Sequence, residues 1–324
     1  MRVLIADKMD PGGLEALGCE VSLEAGLGPQ TLPEALGRIG PEILIVRSTK
    51  VPASVIERAA TLKGIIRAGA GTDNIDAEAA GSRGIAVCNC PGMNAVAVAE
   101  LAIGHLICCD RRIPAQTGDL ARGIWNKKKY ASARGLKDST LGVVGVGAVG
   151  RAVVTRALAF EMDVIAWDLP MDEPLARLLG VSSGGNTRDS LLEMVSRCDA
   201  LTIHVALTDQ TRGMCDDEFF GAMRDGAYFI NTARGPIVDE AALERAIRQK
   251  NIRAGLDVYQ GQPGTPEGSF DCALAKIDGV SCTHHVGAST AQAQRAVGEE
   301  AVRIVAQYIK TGRFINCVNE GLIR

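Results

Sequence analysis

Short apolar runs alternate with longer segments of helical periodicity along most of the chain. Apolar runs such as residues 43–46 and 200–205 predict buried strands, because a strand covered on both faces has few polar positions. Segments such as residues 240–250 and 290–309 repeat apolar residues at helical spacing, which predicts amphipathic helices. This alternation is typical of a parallel sheet with helices on both faces.

The same pattern places the individual elements. The predicted strands are residues 3–6, 43–46, 64–68, 85–89, 141–146, 163–167, 200–205, 227–232, 253–258 and 280–283. The predicted helices are residues 11–17, 31–39, 51–60, 76–83, 93–112, 115–123, 174–179, 189–196, 216–223, 240–250 and 290–309, with a further helix after the strand at 141–146. We expect Pro114 to break the chain between the two helices on either side of it.

A glycine-rich turn follows the predicted strand at residues 141–146. Gly145, Gly147 and Gly150 form GxGxxG, whose glycines supply a tight turn, a close backbone approach to pyrophosphate and close helix packing. Asp168 ends the next predicted strand, about 20 residues further on, where a carboxylate accepts from the ribose hydroxyls and repels a 2′-phosphate. The order of strand, glycine turn, helix, strand and acid therefore predicts a dinucleotide site that favours NAD over NADP. Residues 1–91 alternate in the same way but lack this motif, so we expect them to bind a different ligand.

Composition narrows the class of protein. With 324 residues, 47% of them hydrophobic, the chain is long enough for two domains, and its net charge of −3 argues against a nucleic-acid partner. Its most apolar stretch, residues 95–109, contains Glu100 and His105 and is too short to span a membrane. The N-terminus lacks the layout of a signal peptide, so we expect a cytoplasmic protein with no membrane partner.

Cysteine and histidine spacing gives no sign of a metal site. The ten cysteines include a CxC and a CC pair, which are poor zinc spacings, and we interpret them as buried thiols. The four histidines show no ligand spacing, and we expect no bound metal. His105 and His204 are interpreted as core residues or as supporting residues near a site.

Three segments with polar chemistry follow strands at the edge where a cofactor ring would lie: residues 231–235, 257–263 and 283–288. An arginine such as Arg234 can hold a carboxylate with two hydrogen bonds, and a histidine can exchange the hydroxyl proton during hydride transfer. Arg234 could instead cap a helix or pair with Asp239. His284 and His285 could each be a loop histidine with no chemical role.

The residues of these segments resemble a known family. GVGAVG, Asp168, NTARG, DVYQGQP and HHVGAST occur in the order found in the D-isomer-specific 2-hydroxyacid dehydrogenase family. VRSTKV, RAGAGTDNID and WNKKKY are most similar to the phosphoglycerate dehydrogenases of that family. The long members of this subgroup carry C-terminal regulatory domains, which we expect to be absent here, together with regulation by serine.

The resemblance implies an α/β fold with two Rossmann-like or flavodoxin-like domains. An NAD-binding domain with a doubly wound parallel sheet, residues 92–285, would be inserted into a smaller α/β substrate domain, residues 1–91 plus 286–324. Homodimers would form through the NAD-binding domain, and the partner of the site would be a small 2-hydroxy or 2-oxo acid.

The resemblance also assigns roles to residues. Arg234 would bind and polarise the substrate, His285 would be the acid/base, and Gln262 would pair with His285. The residues implied around NAD are Gly145, Gly147, Ala148, Val149, Gly150, Asp168, Ala206, Thr232, Ala233, Asp257 and Gly287. The residues implied on the substrate side are Arg47, Ser48, Arg67, Ala70, Gly71 and Asn94, with Lys50 and Lys127–Lys129 as further positive charge for a phosphorylated acid, although the lysine turn could also be an ordinary solvated turn.

Three positions depart from the family pattern. Gln262 stands where a glutamate usually pairs with the catalytic histidine, and it cannot stabilise an imidazolium by charge. We therefore expect the pKa of His285 to be lower than in glutamate-paired relatives, which would favour oxidation of the hydroxy acid near neutral pH. Ala148 replaces an arginine that contacts the pyrophosphate, so weaker NAD binding is expected, and His284 replaces the usual proline without an assigned role.

The expected reaction is NAD-dependent oxidation of a D-2-hydroxy acid to the 2-oxo acid, with D-3-phosphoglycerate, and hence serine biosynthesis, as the leading choice. A glyoxylate or hydroxypyruvate reductase is an alternative that would not need the basic residues. An NAD(H)-sensing binding protein similar to the C-terminal binding corepressors is an alternative of another class.

Overall fold

The computed structural model describes residues 1–10, 12–264 and 267–323, and the chain divides into two compact units. Unit 1 comprises Met1–Asn94, Pro263–Gly268 and Ser289–Arg324, and unit 2 comprises Ala95–Gln262 and Ser269–Ala288. The described part of residues 263–268 thus groups with unit 1, although the division expected from the sequence assigned it to the second domain.

The elements alternate as the apolar pattern predicts. The strands are β1 Arg2–Ile5, β2 Glu20–Leu23, β3 Ile43–Val46, β4 Gly64–Arg67, β5 Ala86–Asn89, β6 Thr140–Val144, β7 Asp163–Trp167, β8 Ser182–Ser183, β9 Ala200–Ile203, β10 Tyr228–Asn231, β11 Arg253–Leu256 and β12 Val280–Cys282. The helices are α1 Gly12–Glu15, α2 Leu32–Ile39, α3 Ala53–Ile56, α4 Ala77–Ser82, α5 Ala95–Arg111, α6 Ile113–Ala121, α7 Ala148–Ala159, α8 Glu173–Leu179, α9 Arg188–Arg197, α10 Asp217–Ala222, α11 Glu240–Lys250 and α12 Ala291–Thr311. Short 3-10 turns occupy Lys128–Tyr130, Gly235–Ile237, Leu274–Lys276 and Glu320–Leu322.

Unit 1 is built on a parallel sheet with the strand order β2-β1-β3-β4-β5. All four residues of β3 are buried, and alternate residues point to opposite faces. Leu44 packs with α2, α3 and α4 on one face, whereas Ile43 and Ile45 pack with α1 and α12 on the other. This order is the flavodoxin-like one, which confirms the predicted fold class for the smaller domain.

Unit 2 contains a seven-stranded parallel sheet with the order β12-β11-β10-β9-β6-β7-β8. From β6 the chain first adds strands on one side and then returns to add β9 to β12 on the other, so the order reverses between β6 and β9. In doubly wound sheets the ligand lies at the carboxyl ends of the strands at this switch point. The predicted doubly wound NAD domain is therefore confirmed in its architecture.

Two local predictions were wrong for identifiable reasons. Pro114 lies in the first turn of α6, where the missing N–H has no helical partner to lose, so it begins that helix and does not separate the two segments. The break falls instead at Arg112, which has a left-handed backbone (φ 52°). The helix predicted at residues 51–60 shrinks to α3 because Val51 pairs with the backbone of Asn74 and Asp76.

Candidate active site

The three segments singled out by the sequence follow β10, β11 and β12, which are neighbouring strands in unit 2. Parallel strands end at the same edge of a sheet, so these loops lie side by side there. Gly235 shows how closely they pack, because a Cβ built on it would lie 2.1 Å from the carbonyl carbon of Tyr259. The loop that carries Arg234 is therefore next to the loop that carries Gln262.

Arg234 extends from a loop that Asn231 holds in place. The buried Asn231 accepts from the N–H of Ala233 through Oδ1 and donates through Nδ2 to the carbonyl of Arg234, both over 3.0 Å. Arg234 has an extended backbone, and its Nη1 donates to the carbonyl of Ala233. Asp239, the ion-pair partner considered for Arg234, caps α11 by accepting from the N–H groups of Ala241 and Ala242.

His285 and Gln262 form a hydrogen-bonded pair. Nε2 of Gln262 contacts Nδ1 of His285, while Oε1 of Gln262 accepts from the N–H of Tyr259 over 3.0 Å. His285 has a left-handed backbone (φ 53°), a conformation that costs energy in a residue other than glycine and is common at functional sites. The structure therefore brings these two predicted site residues together.

The loop of His285 is held by a buried carboxylate. Asp257, 1% exposed, accepts from the N–H of Val286 and of Gly287 over 2.9 and 2.8 Å, and its Oδ1 also accepts from the hydroxyl of Thr283 over 2.6 Å. The N–H groups that follow His285 are thus fixed, which keeps the left-handed residue in place. Sequence reasoning placed Asp257 and Gly287 around the cofactor and missed Thr283.

Thr283 also connects this loop to the buried helix α5. Nε2 of His105 contacts the Thr283 hydroxyl over 3.1 Å, and Nδ1 of His105 contacts the Ser281 hydroxyl over 3.0 Å. Burial lowers the pKa of His105, so the ring is neutral at physiological pH. This agrees with the interpretation of His105 as a supporting core residue.

The GxGxxG turn has the geometry of a dinucleotide cradle. Gly145 has φ +97°, and a Cβ on Gly150 would lie 1.9 Å from the carbonyl oxygen of Gly145, so neither position accommodates a side chain. Gly147 precedes α7 and faces open space, where a phosphate group can approach its backbone. Ala148 is exposed and Val149 half-buried in the first turn of α7.

Asp168 lies directly after β7, where its position is fixed by backbone groups. Oδ2 accepts from the N–H of Val146 and Oδ1 from that of Leu169, each over 2.7 Å. A carboxylate oxygen has further lone pairs, so both oxygens can still accept from ribose hydroxyls.

Two buried polar side-chain atoms near the carboxyl edge of the sheet in unit 2 are relevant to ligand binding. Within residues 1–10, 12–264 and 267–323, neither Oγ1 of Thr232 nor Nδ1 of His204 has a hydrogen-bond partner. Such atoms are rare in folded proteins and point to a bound ligand or water. Thr232 and Ala233 follow β10, and His204 to Ala206 follow β9, so these atoms lie on the β9 side of the switch point where a dinucleotide would lie. With the glycine cradle and Asp168, these residues fit NAD.

In unit 1, the residues implied for substrate binding gather at the carboxyl edge of the sheet. Arg47 and Ser48 follow β3, residues 67–71 end and follow β4, and Asn94 precedes α5. Nη2 of Arg47 donates to the Ser289 hydroxyl over 3.0 Å. The guanidinium of Arg67 lies over Gly69, because a Cβ built on Gly69 would be 1.5 Å from Nη1 of Arg67. The carbonyl of Ala70, beside Gly71, accepts from Nδ2 of Asn89.

Asp7 is a supporting residue that sequence reasoning missed. Its Oδ2 accepts from the N–H groups of Arg47 and Thr49 over 2.6 and 3.2 Å and so fixes the loop that carries Arg47. Asp7 is an acid placed shortly after a predicted strand, which is the same signal that identified Asp168. It could therefore have been found from the sequence.

One lysine of the basic turn at residues 127–129 forms an ion pair within the protein. Nζ of Lys129 pairs with the buried carboxylate of Asp119 over 3.1 Å, and the hydroxyl of Tyr130 donates to the same oxygen. Lys127 and Lys128 are exposed, and no hydrogen bond or ion pair among the described residues joins them to the loops after β10, β11 or β12. The part predicted for Lys127 and Lys128 in substrate binding stays a prediction.

The remaining sequence-based expectations concern metals, thiols and membranes. Across the described positions, no group of three or more histidine, cysteine, aspartate or glutamate residues could hold a metal ion. The ten cysteines are free thiols, and burial raises the pKa of Cys90 and of Cys198 to about 12. None of the described helices is long and apolar enough to cross a membrane.

Comparison with known proteins identifies relatives of the whole chain. Residues 103–287 match the model of the family described as D-isomer specific 2-hydroxyacid dehydrogenase, NAD binding domain. A D-3-phosphoglycerate dehydrogenase of Methanocaldococcus jannaschii is 40% identical over 315 residues, which cover 96% of this chain but 57% of that protein. The chain therefore spans little more than half the length of that relative.

Two further relatives match over nearly their full length. A hydroxypyruvate reductase of Thermotoga maritima is 40% identical over 305 residues, covering 93% of this chain and 96% of that protein. The crystal structure of NAD⁺-bound 3-phosphoglycerate dehydrogenase from Entamoeba histolytica superposes with a TM-score of 0.81 at 27% identity, covering 99% of both chains.

Proposed function

Because the chain belongs to the D-isomer-specific 2-hydroxyacid dehydrogenase family, we propose that it catalyses NAD-dependent oxidation of a D-2-hydroxy acid, with D-3-phosphoglycerate as its substrate. NAD as the cofactor is confirmed by the family model and agrees with the glycine cradle. The observation that carries the proposal is the position of Arg234, Gln262 and His285. They lie on adjacent loops after β10, β11 and β12, at the edge of the sheet that also holds the glycine cradle.

In the proposed reaction, Arg234 binds the substrate carboxylate and polarises the neighbouring C–O group. His285 accepts the hydroxyl proton through Nε2, the ring nitrogen that does not face Gln262. Bound NAD⁺ supplies the acceptor for the hydride that leaves C2. Asp257 fixes the backbone of the loop that carries His285 through its three hydrogen bonds.

The choice of a phosphorylated acid rests on the positive charge of unit 1. Arg47 and Arg67 lie at one edge of its sheet, and Asp7 and Asn89 hold the loops beside them. We propose that they bind the phosphate, together with Ser48, Ala70, Gly71 and Asn94. The match to M. jannaschii D-3-phosphoglycerate dehydrogenase supports this substrate.

A panel of D-2-hydroxy acids tests the proposal. NAD⁺ reduction should be fastest, as kcat/KM, with D-3-phosphoglycerate and slower with D-glycerate, D-lactate and glycolate. Arg47→Met should lower kcat/KM for D-3-phosphoglycerate more than for D-glycerate, whereas Arg58→Met, which removes an exposed arginine from the same unit, should leave the ratio unchanged.

Hydroxypyruvate reduction is the second candidate, because the T. maritima hydroxypyruvate reductase matches over nearly its whole length. Faster NADH oxidation with hydroxypyruvate or glyoxylate than turnover of any phosphorylated acid would favour it. NADH binding without turnover of any acid in the panel would contradict both enzymatic proposals and indicate a sensing protein.

We also propose that the chain acts as a cytoplasmic homodimer that associates through unit 2. Apolar side chains are exposed on α6 and the segment after it, including Leu120 and Trp125, the latter 80% exposed. Such side chains are commonly covered in an oligomer. Sedimentation equilibrium of the wild type and of Trp125→Glu tests this, and a monomeric wild type would contradict it.

A further inference from the structure

The side-chain amide of Gln262 is oriented by the main chain. The N–H of Tyr259 can only donate, so the Gln262 atom that faces it over 3.0 Å must be the oxygen. Tyr259 is itself fixed, since its ring is buried and its hydroxyl lies 2.9 and 2.8 Å from the carbonyl oxygens of Leu256 and Thr283. The nitrogen of the Gln262 amide, which carries two donors and no acceptor, therefore faces Nδ1 of His285.

From these directions we infer that Gln262 holds resting His285 as a neutral imidazole whose proton is on Nε2. Nδ1 can accept from the Gln262 amide only if it carries no proton. The tautomer with the proton on Nδ1, and the imidazolium, would each place an N–H against the NH2 group of Gln262. Turning the amide over relieves that conflict but sets its NH2 group against the N–H of Tyr259, so one hydrogen bond is lost in either case.

This arrangement has a consequence for proton transfer, which rests on the proposed function. When a hydroxy acid is oxidised, its O–H bond breaks and Nε2 takes the proton while the hydride leaves C2. Nε2 needs a lone pair for this step, so the resting proton must first move to Nδ1 by exchange with solvent, and the Gln262 amide must turn to accept from it. In the reverse direction the imidazolium that donates the proton needs the same turn.

A glutamate at this position would not need to turn. Its two oxygens can accept from the N–H of Tyr259 and from Nδ1–H of His285 at the same time. Gln262 is thus a positioning residue that sets which nitrogen of His285 carries the proton. This effect adds to the missing negative charge, because both disfavour the imidazolium.

Nuclear magnetic resonance of ¹⁵N-histidine-labelled protein tests the assignment directly. Long-range ¹H–¹⁵N correlations identify which ring nitrogen carries the proton, and a spectrum of His285→Asn identifies the signals of His285. We expect the Nε2–H tautomer in the wild type and the Nδ1–H tautomer in Gln262→Glu, with titration of His285 moved up by about one to three pH units in the variant. Gln249→Glu adds the same charge at an exposed position on α11 and should behave as the wild type.

The proposed turning of the Gln262 amide is tested by measuring kcat for oxidation at a pH where His285 is neutral. Gln262→Glu should raise kcat roughly two- to tenfold, the rate equivalent of one ordinary hydrogen bond. An Nδ1–H signal in the wild type, or an Nε2–H signal that persists in Gln262→Glu, would overturn the tautomer assignment. If the spectra are as expected but the wild type and Gln262→Glu have equal kcat values, the Gln262 amide does not need to turn before proton transfer, and that part of the inference is overturned. The expected spectra without turnover of any hydroxy acid would support the tautomer and refute the proposed function.

Discussion

The hydroxyl of Thr283 donates to Oδ1 of Asp257 over 2.6 Å, at the start of the loop that carries His285. The same carboxylate accepts from two N–H groups further along this loop. A single buried acid therefore determines where the loop begins and how it turns at His285.

We expect Thr283→Val to lower the free energy of unfolding by about 1.5–3 kcal/mol, because a hydrogen bond to a buried charged group is lost while the side-chain shape is kept. The activity of the folded variant should fall as well, since the loop of His285 loses one of its fixed points. Urea unfolding and kcat at saturating substrate measure the two effects. Thr117→Val removes an exposed hydroxyl that bonds within α6 and should change stability by less than about 0.5 kcal/mol. Equal effects of the two substitutions would contradict the role given to Thr283.

Gly150→Ala should destabilise the protein without cofactor by about 1–3 kcal/mol, because the added Cβ would lie 1.9 Å from the carbonyl oxygen of Gly145. Gly147→Ala adds the same methyl group into open space and should leave stability near that of the wild type. Both variants should bind NADH more weakly, since each methyl group lies in or beside the cradle. Thermal unfolding without cofactor and NADH fluorescence titration separate folding from binding. A Gly147→Ala variant as unstable as Gly150→Ala would show that the cradle is not packed as described.

Asp168→Asn should reduce the preference for NADH over NADPH, measured as the ratio of the two kcat/KM values. The amide keeps one acceptor oxygen but removes the charge that repels a 2′-phosphate, and we expect the ratio to fall about tenfold, or about 1.4 kcal/mol. Asp172→Asn is the matched control, because Asp172 is an exposed acid that caps α8 a few residues away. If both variants shift the ratio equally, general charge and not the position of Asp168 decides coenzyme choice.

His204 should make the protein less stable in mild acid. Burial lowers its pKa from 6.5 to about 3, so the folded protein resists a proton that the unfolded chain takes up. The free energy of unfolding should therefore decrease as the pH falls from about 6.5 to about 3, by up to about 1.4 kcal/mol per pH unit, and should be unaffected by this group at higher pH. His204→Asn should flatten this part of the stability–pH curve. An unchanged slope in the variant would mean that His204 does not remain neutral in the folded protein.

The fold was predictable where burial dominates the sequence pattern. Ile43–Val46 and Glu240–Lys250 have the predicted limits, because an all-apolar run and a regular helical stripe leave little choice. Glu20–Leu23 was missed because its residues are exposed or half-buried at the edge of the sheet. Ser182–Ser183 was missed because two serines at the opposite edge give no apolar signal.

The sequence predicts those residues of the candidate site that directly follow strands. Arg234, Gln262 and His285 follow strands, and the sheet order places their loops side by side. The roles of Thr283 and Tyr259 could not be predicted, because they arise from contacts with main-chain or buried groups that only the folded chain brings into reach.

The C-terminal segment of unit 1 runs along β5, the outermost strand of its sheet. The N–H and C=O of Val87 bond to Asn319 and Val318, and the N–H of Asn89 donates to the carbonyl of Asn316. Without these residues, a row of unpaired peptide groups would face solvent, and such rows recruit strands from other molecules. A chain without residues 316–319 would therefore be prone to self-association through β5, so this segment protects the sheet edge against aggregation.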